Sequence, residues 1–123
     1  MNHSRDRELI SLLIQTYFDS MFESSKEKVG IAFHPNAIVA GVFGEQFLEM
    51  NRDEFGKFVE TKQPSAKENG EIPKLDVISI DIAGQTAVAL VRDDYLGFTF
   101  LDTLSMVKTG ERWVIYNKLF HIE

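Results

Sequence analysis

A chain of 123 residues, 44% hydrophobic and 26% charged, has the size and composition of one globular domain, and a single unit spanning residues 1–123 is expected. It contains no cysteine, which excludes disulfides, thiol catalysis and zinc–thiolate sites. The net charge is −6 and the basic residues are scattered, so nucleic acid is not an expected partner; no apolar run approaches the roughly 20 residues of a membrane span.

The polar segment from Met1 to Arg7 has no apolar core of the signal-peptide kind, so the expected location is cytoplasmic. Ser4 is the expected cap of a first helix, with Asp6 and Glu8 placed well against its dipole. Leu9, Leu13, Tyr17 and Met21 recur at helical spacing, and Ile10, Ile14 and Phe18 widen the stripe. Ser24 with Glu27 reads as a capping box opening a second short helix that turns Val29, Ala32 and Phe33 inward; His34-Pro35 ends it. Ala37 to Val42 and Gln46 to Met50 form a strand pair about a turn at Gly44. Asn51 with Glu54 is a capping box for a third helix presenting Phe55, Phe58 and Val59. Residues 63–72 form a polar loop. Four strands then follow: Lys74 to Ile82, Thr86 to Tyr95, Phe98 to Val107 and Arg112 to Ile122, an antiparallel meander joined by tight glycine turns.

Tight turns fix register, and register fixes face. The turn at Thr109-Gly110 is expected to set Met106 opposite Trp113, Leu104 opposite Ile115, Asp102 opposite Asn117 and Phe98 opposite His121. The turn at Leu96-Gly97 sets Tyr95 opposite Phe98, Asp93 opposite Phe100 and Val91 opposite Asp102. The turn at Ala83-Gly84 sets Ile80 opposite Ala87 and Ile78 opposite Ala89. One face so defined is mostly apolar and should meet the helices. It carries Asp93, Asp102, Asn117 and His121, with Ala87 and Ala89 leaving room. An inward carboxylate needs a partner, water or ligand.

The expected ligand-facing residues are Tyr17, Phe33, Asp93, Tyr95, Phe100, Asp102, Trp113, Asn117 and His121. Asp102 and Tyr17 are also the catalytic candidates, as a carboxyl of raised pKa and a hydroxyl donor. No three histidines or carboxylates share metal-ligand spacing, and no glycine-rich loop opens a helix, so neither a metal nor another cofactor is expected. With no Arg or Lys on this face, a small neutral organic ligand fits best. The opposite face, with Val88, Leu90, Leu101, Val107, Tyr116 and Phe120, is too apolar to be left to water, and a homodimer through it is expected.

Several stretches carry a family resemblance: Tyr17-Phe18-Asp19, Ala32-Phe33-His34-Pro35-Asn36-Ala37, Val77-Ile78-Ser79-Ile80-Asp81, Thr86-Ala87-Val88-Ala89, and Arg112 through His121. With the element order they resemble the nuclear transport factor 2-like superfamily, and within it the putative lumazine-binding family. The resemblance implies an α+β fold: three helices on a curved, largely antiparallel sheet, forming a cystatin-like cone with an internal pocket. Ketosteroid isomerase shares this fold, and that comparison implies an oxyanion pair at Tyr17 and Asp102. The position matching that enzyme's base is Gly41, which carries no proton. The function these readings favour is small-molecule binding in an apolar, acid-dotted cavity. A lyase or isomerase using Asp102 and Tyr17, and a non-enzymatic dimeric interaction domain, are the alternatives.

Overall fold

The computed structural model describes residues 3–123; Met1 and Asn2, the start of the charged N-terminal segment, lie outside them. The elements run α1 (Ser4–Phe22), α2 (Lys26–Ala32), β1 (Phe33–Phe43), β2 (Gln46–Asn51), α3 (Arg52–Glu60), β3 (Leu75–Ala83), β4 (Thr86–Tyr95), β5 (Phe98–Thr109) and β6 (Arg112–Ile122). The helices cover one face of a six-stranded sheet of order β2-β1-β6-β5-β4-β3. Every neighbouring pair is antiparallel except β1 and β6, which run parallel and join the first hairpin to the meander.

Local chemistry explains the helix starts. Asn51 accepts from the Glu54 amide at 2.8 Å, and Glu54 accepts from the Asn51 amide at 2.9 Å, the reciprocal capping box expected for α3. The cap of α2 is Ser25 rather than Ser24; its hydroxyl accepts from the Lys28 amide. Helix α1 begins at Ser4, so the capping position falls on His3. The second helix stops at Ala32, and Phe33 and His34 already belong to β1. The core is built from Ile10, Ile14, Tyr17 and Met21 of α1, Val29 of α2, Phe55 and Val59 of α3, and the inner faces of the strands. Among the described residues no helix is long and apolar enough to cross a membrane.

Strand register follows expectation between β4 and β5: Tyr95 pairs with Phe98, Asp93 with Phe100 and Val91 with Asp102. Leu96 and Gly97, both at positive φ, make the two-residue turn whose twist suits a hairpin. The other two assignments need correction. In β3 the turn is Gly84-Gln85, so Ile80 pairs with Ala89 rather than with Ala87, and a bulge near Ile78 leaves that residue exposed. In β6 the turn is Gly110-Glu111, so Met106 pairs with Ile115 rather than with Trp113, and a bulge at Tyr116 then shifts the register once more, so that Leu104 pairs with Lys118 and Asp102 with Phe120. One extra residue reverses the face of everything after it. Trp113 and Ile115 point inward as expected. Asn117, Leu119 and His121 do not: Asn117 is half-buried, and Leu119 and His121 are exposed. Lys118, which register alone had put outside, is buried at 5% exposure.

Candidate functional site

The end of the sheet near the β4–β5 turn gathers the buried polar groups. Tyr17, on the inner stripe of α1, donates its hydroxyl to Asp102 Oδ2 at 2.6 Å, and both residues are fully buried. Burial, together with the adjacent Asp102 charge, raises the Tyr17 pKa well above the usual tyrosine range, so the phenol stays protonated. The second carboxyl oxygen of Asp102 has no hydrogen-bond partner.

Asp93 lies beside this pair on the inner face of β4, at 1% exposure. Asp102 is near enough to interact with it, yet no hydrogen bond of ordinary geometry reaches either Asp93 oxygen. Burial first, and Asp102 second, push the Asp93 pKa up to about 9, with Lys118 pulling the other way. Asp93 is therefore a neutral acid at neutral pH. Two positions along β4, the Tyr95 hydroxyl is also buried without a partner, and burial raises its pKa. A buried polar group left unpaired costs about 1–3 kcal/mol, and this cluster holds four such atoms on three residues.

Of these groups, Tyr95 lines a cavity of about 230 Å³. Val39, Met50, Phe55, Phe100 and Phe120 give it apolar walls, Tyr95 and Lys118 line it, and the exposed Glu49 of β2 borders it. The Lys118 ammonium lies 4.8 Å from the centre of the Tyr17 ring and 5.0 Å from that of Phe55, and it donates weakly to Met21 Sδ at 3.5 Å. None of the ion pairs found among the described residues includes it.

The structure thus brings together Tyr17, Asp93, Tyr95, Phe100 and Asp102, as the sequence led one to expect. Phe33 is core: it packs edge-on against Tyr17 and Phe55, behind the cavity wall. Trp113 is inward but lies at the other end, where its indole donates to Asp6 at the start of α1. Ala87 and Ala89 leave no space, because they are packed within the core. Asn117 and His121 are excluded by the β6 bulge. The residue that sequence reasoning missed is Lys118. The signal available was the apolar alternation of Phe120 and Ile122, which fits a face opposite to that of Trp113 and Ile115.

Gly41 is explained by packing. A Cβ there would fall 2.5 Å from the Phe120 carbonyl oxygen and 2.6 Å from its ring. The place a base would occupy in the isomerase comparison is filled by Phe120. Among the described residues no group of three His, Asp or Glu is placed to hold a metal.

Three helices on a curved sheet with a cavity at one end define the nuclear transport factor 2-like class. The most similar solved structures include a nuclear transport factor 2-like protein of unknown function from Silicibacter pomeroyi, at TM-score 0.89 and 22% identity over 100% of both chains. Another, from Methylobacillus flagellatus, has TM-score 0.85 and 23% identity over 98% of this chain and 94% of that one. A putative dehydratase from Streptomyces avermitilis is more remote, at TM-score 0.69 and 15% identity over 99% of each chain. Within this class the chain belongs to the putative lumazine-binding family, whose sequence model matches residues 5–121. No curated protein sequence matches it.

Proposed function

We propose that the protein binds a small, largely apolar organic molecule in the cavity between α3 and the β1, β5 and β6 strands, with a polar group of that molecule meeting the Tyr95 end. The observation that carries this reading is the unpartnered buried hydroxyl of Tyr95 on the wall of an apolar cavity, with further unpartnered oxygens on Asp93, two positions along β4, and on Asp102. Folded proteins rarely leave such groups unpaired, and a ligand atom would complete the Tyr95 hydroxyl. The family description, putative lumazine-binding, agrees with a ligand-binding role. Acid–base catalysis is less well supported, because the Tyr17 proton is spent on Asp102 and Phe120 occupies the position of a base.

The proposal extends to self-association. Val42, Phe47, Val88, Tyr116 and Leu119 are exposed by 40–65%. Strand parity places them on the sheet face away from the helices, and an apolar face of this kind suits a second copy of the chain.

The cavity reading is tested with Tyr95→Phe. Losing an unpaired hydroxyl should raise the melting temperature of the ligand-free protein, while native mass spectrometry of freshly purified protein should show less retained small molecule. A variant that melts lower, or retains as much as the native protein, would count against a ligand-facing hydroxyl.

A further inference from the structure

We propose that Lys118 makes this cavity a site for an apolar carboxylic acid, bound as the carboxylate with its oxygens on the lysine ammonium. The inference rests on the cavity reading above and narrows its ligand class. The expectation of a neutral ligand depended on a face free of basic residues, and the β6 bulge removes that premise.

Four observations lead to this class. First, Lys118 is buried at 5% exposure, and no ion pair among the described residues includes its ammonium. Its neighbours are two aromatic rings and a thioether, which attract a cation weakly and supply no counter-charge. Second, Lys118 lines the cavity, so a group inside can reach it. Third, the buried acids nearby are already committed, and the one acid on the cavity lining, Glu49, is exposed to solvent, which screens its charge. Asp102 accepts from Tyr17 through one oxygen, and Asp93 holds its proton at neutral pH. A protonated Asp93 adds no negative charge to repel an incoming carboxylate, and the Tyr95 hydroxyl is a second free donor on the cavity wall. Fourth, the walls are Val, Met and Phe, so the remainder of the ligand must be apolar. The volume, about 230 Å³, equals the space of about eight liquid waters, which admits a single ring or a short aliphatic chain.

Specificity follows from the cost of a mismatch. A ligand of the same shape with a hydroxyl in place of the carboxylate leaves the ammonium without a counter-ion. A charge-assisted contact should therefore separate the two by about ten-fold or more.

The test titrates native protein calorimetrically with phenylacetate and with 2-phenylethanol, then repeats both with Lys118→Met. Phenylacetate should bind native protein at least about ten-fold tighter than the alcohol. Lys118→Met should lose that preference while keeping the alcohol, and should melt at or above the native temperature because an unpaired buried charge is gone. Equal binding of acid and alcohol by native protein would overturn the carboxylate inference and leave the cavity reading standing. Unchanged phenylacetate binding in the variant would also overturn it, and a lowered melting temperature beside it would mark Lys118 as purely structural. Binding of neither probe would overturn both readings. If the variant does not fold, the native comparison still decides.

Discussion

Replacing Asp93 by asparagine should abolish a pH dependence of stability that the native fold carries. An unfolded aspartate loses its proton near pH 4, whereas in the fold Asp93 keeps it until about pH 9. Below pH 4 both states are protonated, and the buried neutral carboxyl costs nothing extra. Between the two values the unfolded chain binds one proton fewer than the native one, so stability falls as pH rises, at about 1.4 kcal/mol per unit. Across pH 6 to 8 that amounts to about 3 kcal/mol. In a domain of this size the corresponding shift in melting temperature is on the order of 10 °C. Asparagine has nearly the same shape and does not titrate. Any fixed cost of its amide is the same at each pH and drops out of the comparison, as do titrations common to both proteins. Urea unfolding at pH 6, 7 and 8 should therefore show the native protein losing about 3 kcal/mol relative to Asp93→Asn. Parallel pH profiles would refute the reasoning: Asp93 would then be ionised in the fold, and Lys118 would have a counter-ion.

Two further substitutions test the packing and the outer face. Gly41→Ala should destabilise the fold by about 1–3 kcal/mol, since its methyl meets the Phe120 carbonyl and ring at once; an unchanged denaturation midpoint would show that Phe120 moves freely. Leu119→Glu places a charge in the middle of the exposed sheet face, where the native residue is 55% exposed. Native protein should sediment as a dimer and this variant as a monomer, with its circular dichroism unchanged; a variant that remains dimeric would move the interface elsewhere.

The sequence was most readable where structure is decided within a few residues. The Asn51–Glu54 capping box needs only its own four positions, and the Leu96-Gly97 turn fixes all of the β4–β5 register by itself. Those two short-range facts are enough to place Asp93, Tyr95, Phe100 and Asp102 inside. Tyr17 joins them because the α1 stripe has no alternative face to bury. The far end of β6 was not readable in the same way. Its turn lies several residues before the bulge, and nothing local to Ile115-Tyr116-Asn117 requires an extra residue there. The bulge is a property of the whole sheet, in which β6 must pair antiparallel with β5 on one side and parallel with β1 on the other.

That single irregularity decides which β6 side chains face the cavity. With unbroken alternation the inner face of β6 would offer Asn117, Leu119 and His121, a polar, uncharged-to-weakly-basic wall suited to a hydrogen-bonding heterocycle. With the bulge it offers Lys118, Phe120 and Ile122: one fixed cation and two apolar groups. Phe120 then requires glycine at position 41, which removes the only strand position where the isomerase comparison would put a base. The same step that brings a positive charge inside thus closes one route to proton transfer. The four groups that converge there depend on one another's charge. Tyr17 occupies Asp102, Asp102 helps to keep Asp93 protonated, and a protonated Asp93 is a poor counter-ion for Lys118. An ammonium buried among aromatic rings at the cavity wall suits the apolar carboxylic acid proposed above, and the position of one bulged tyrosine is sufficient to place that charge there.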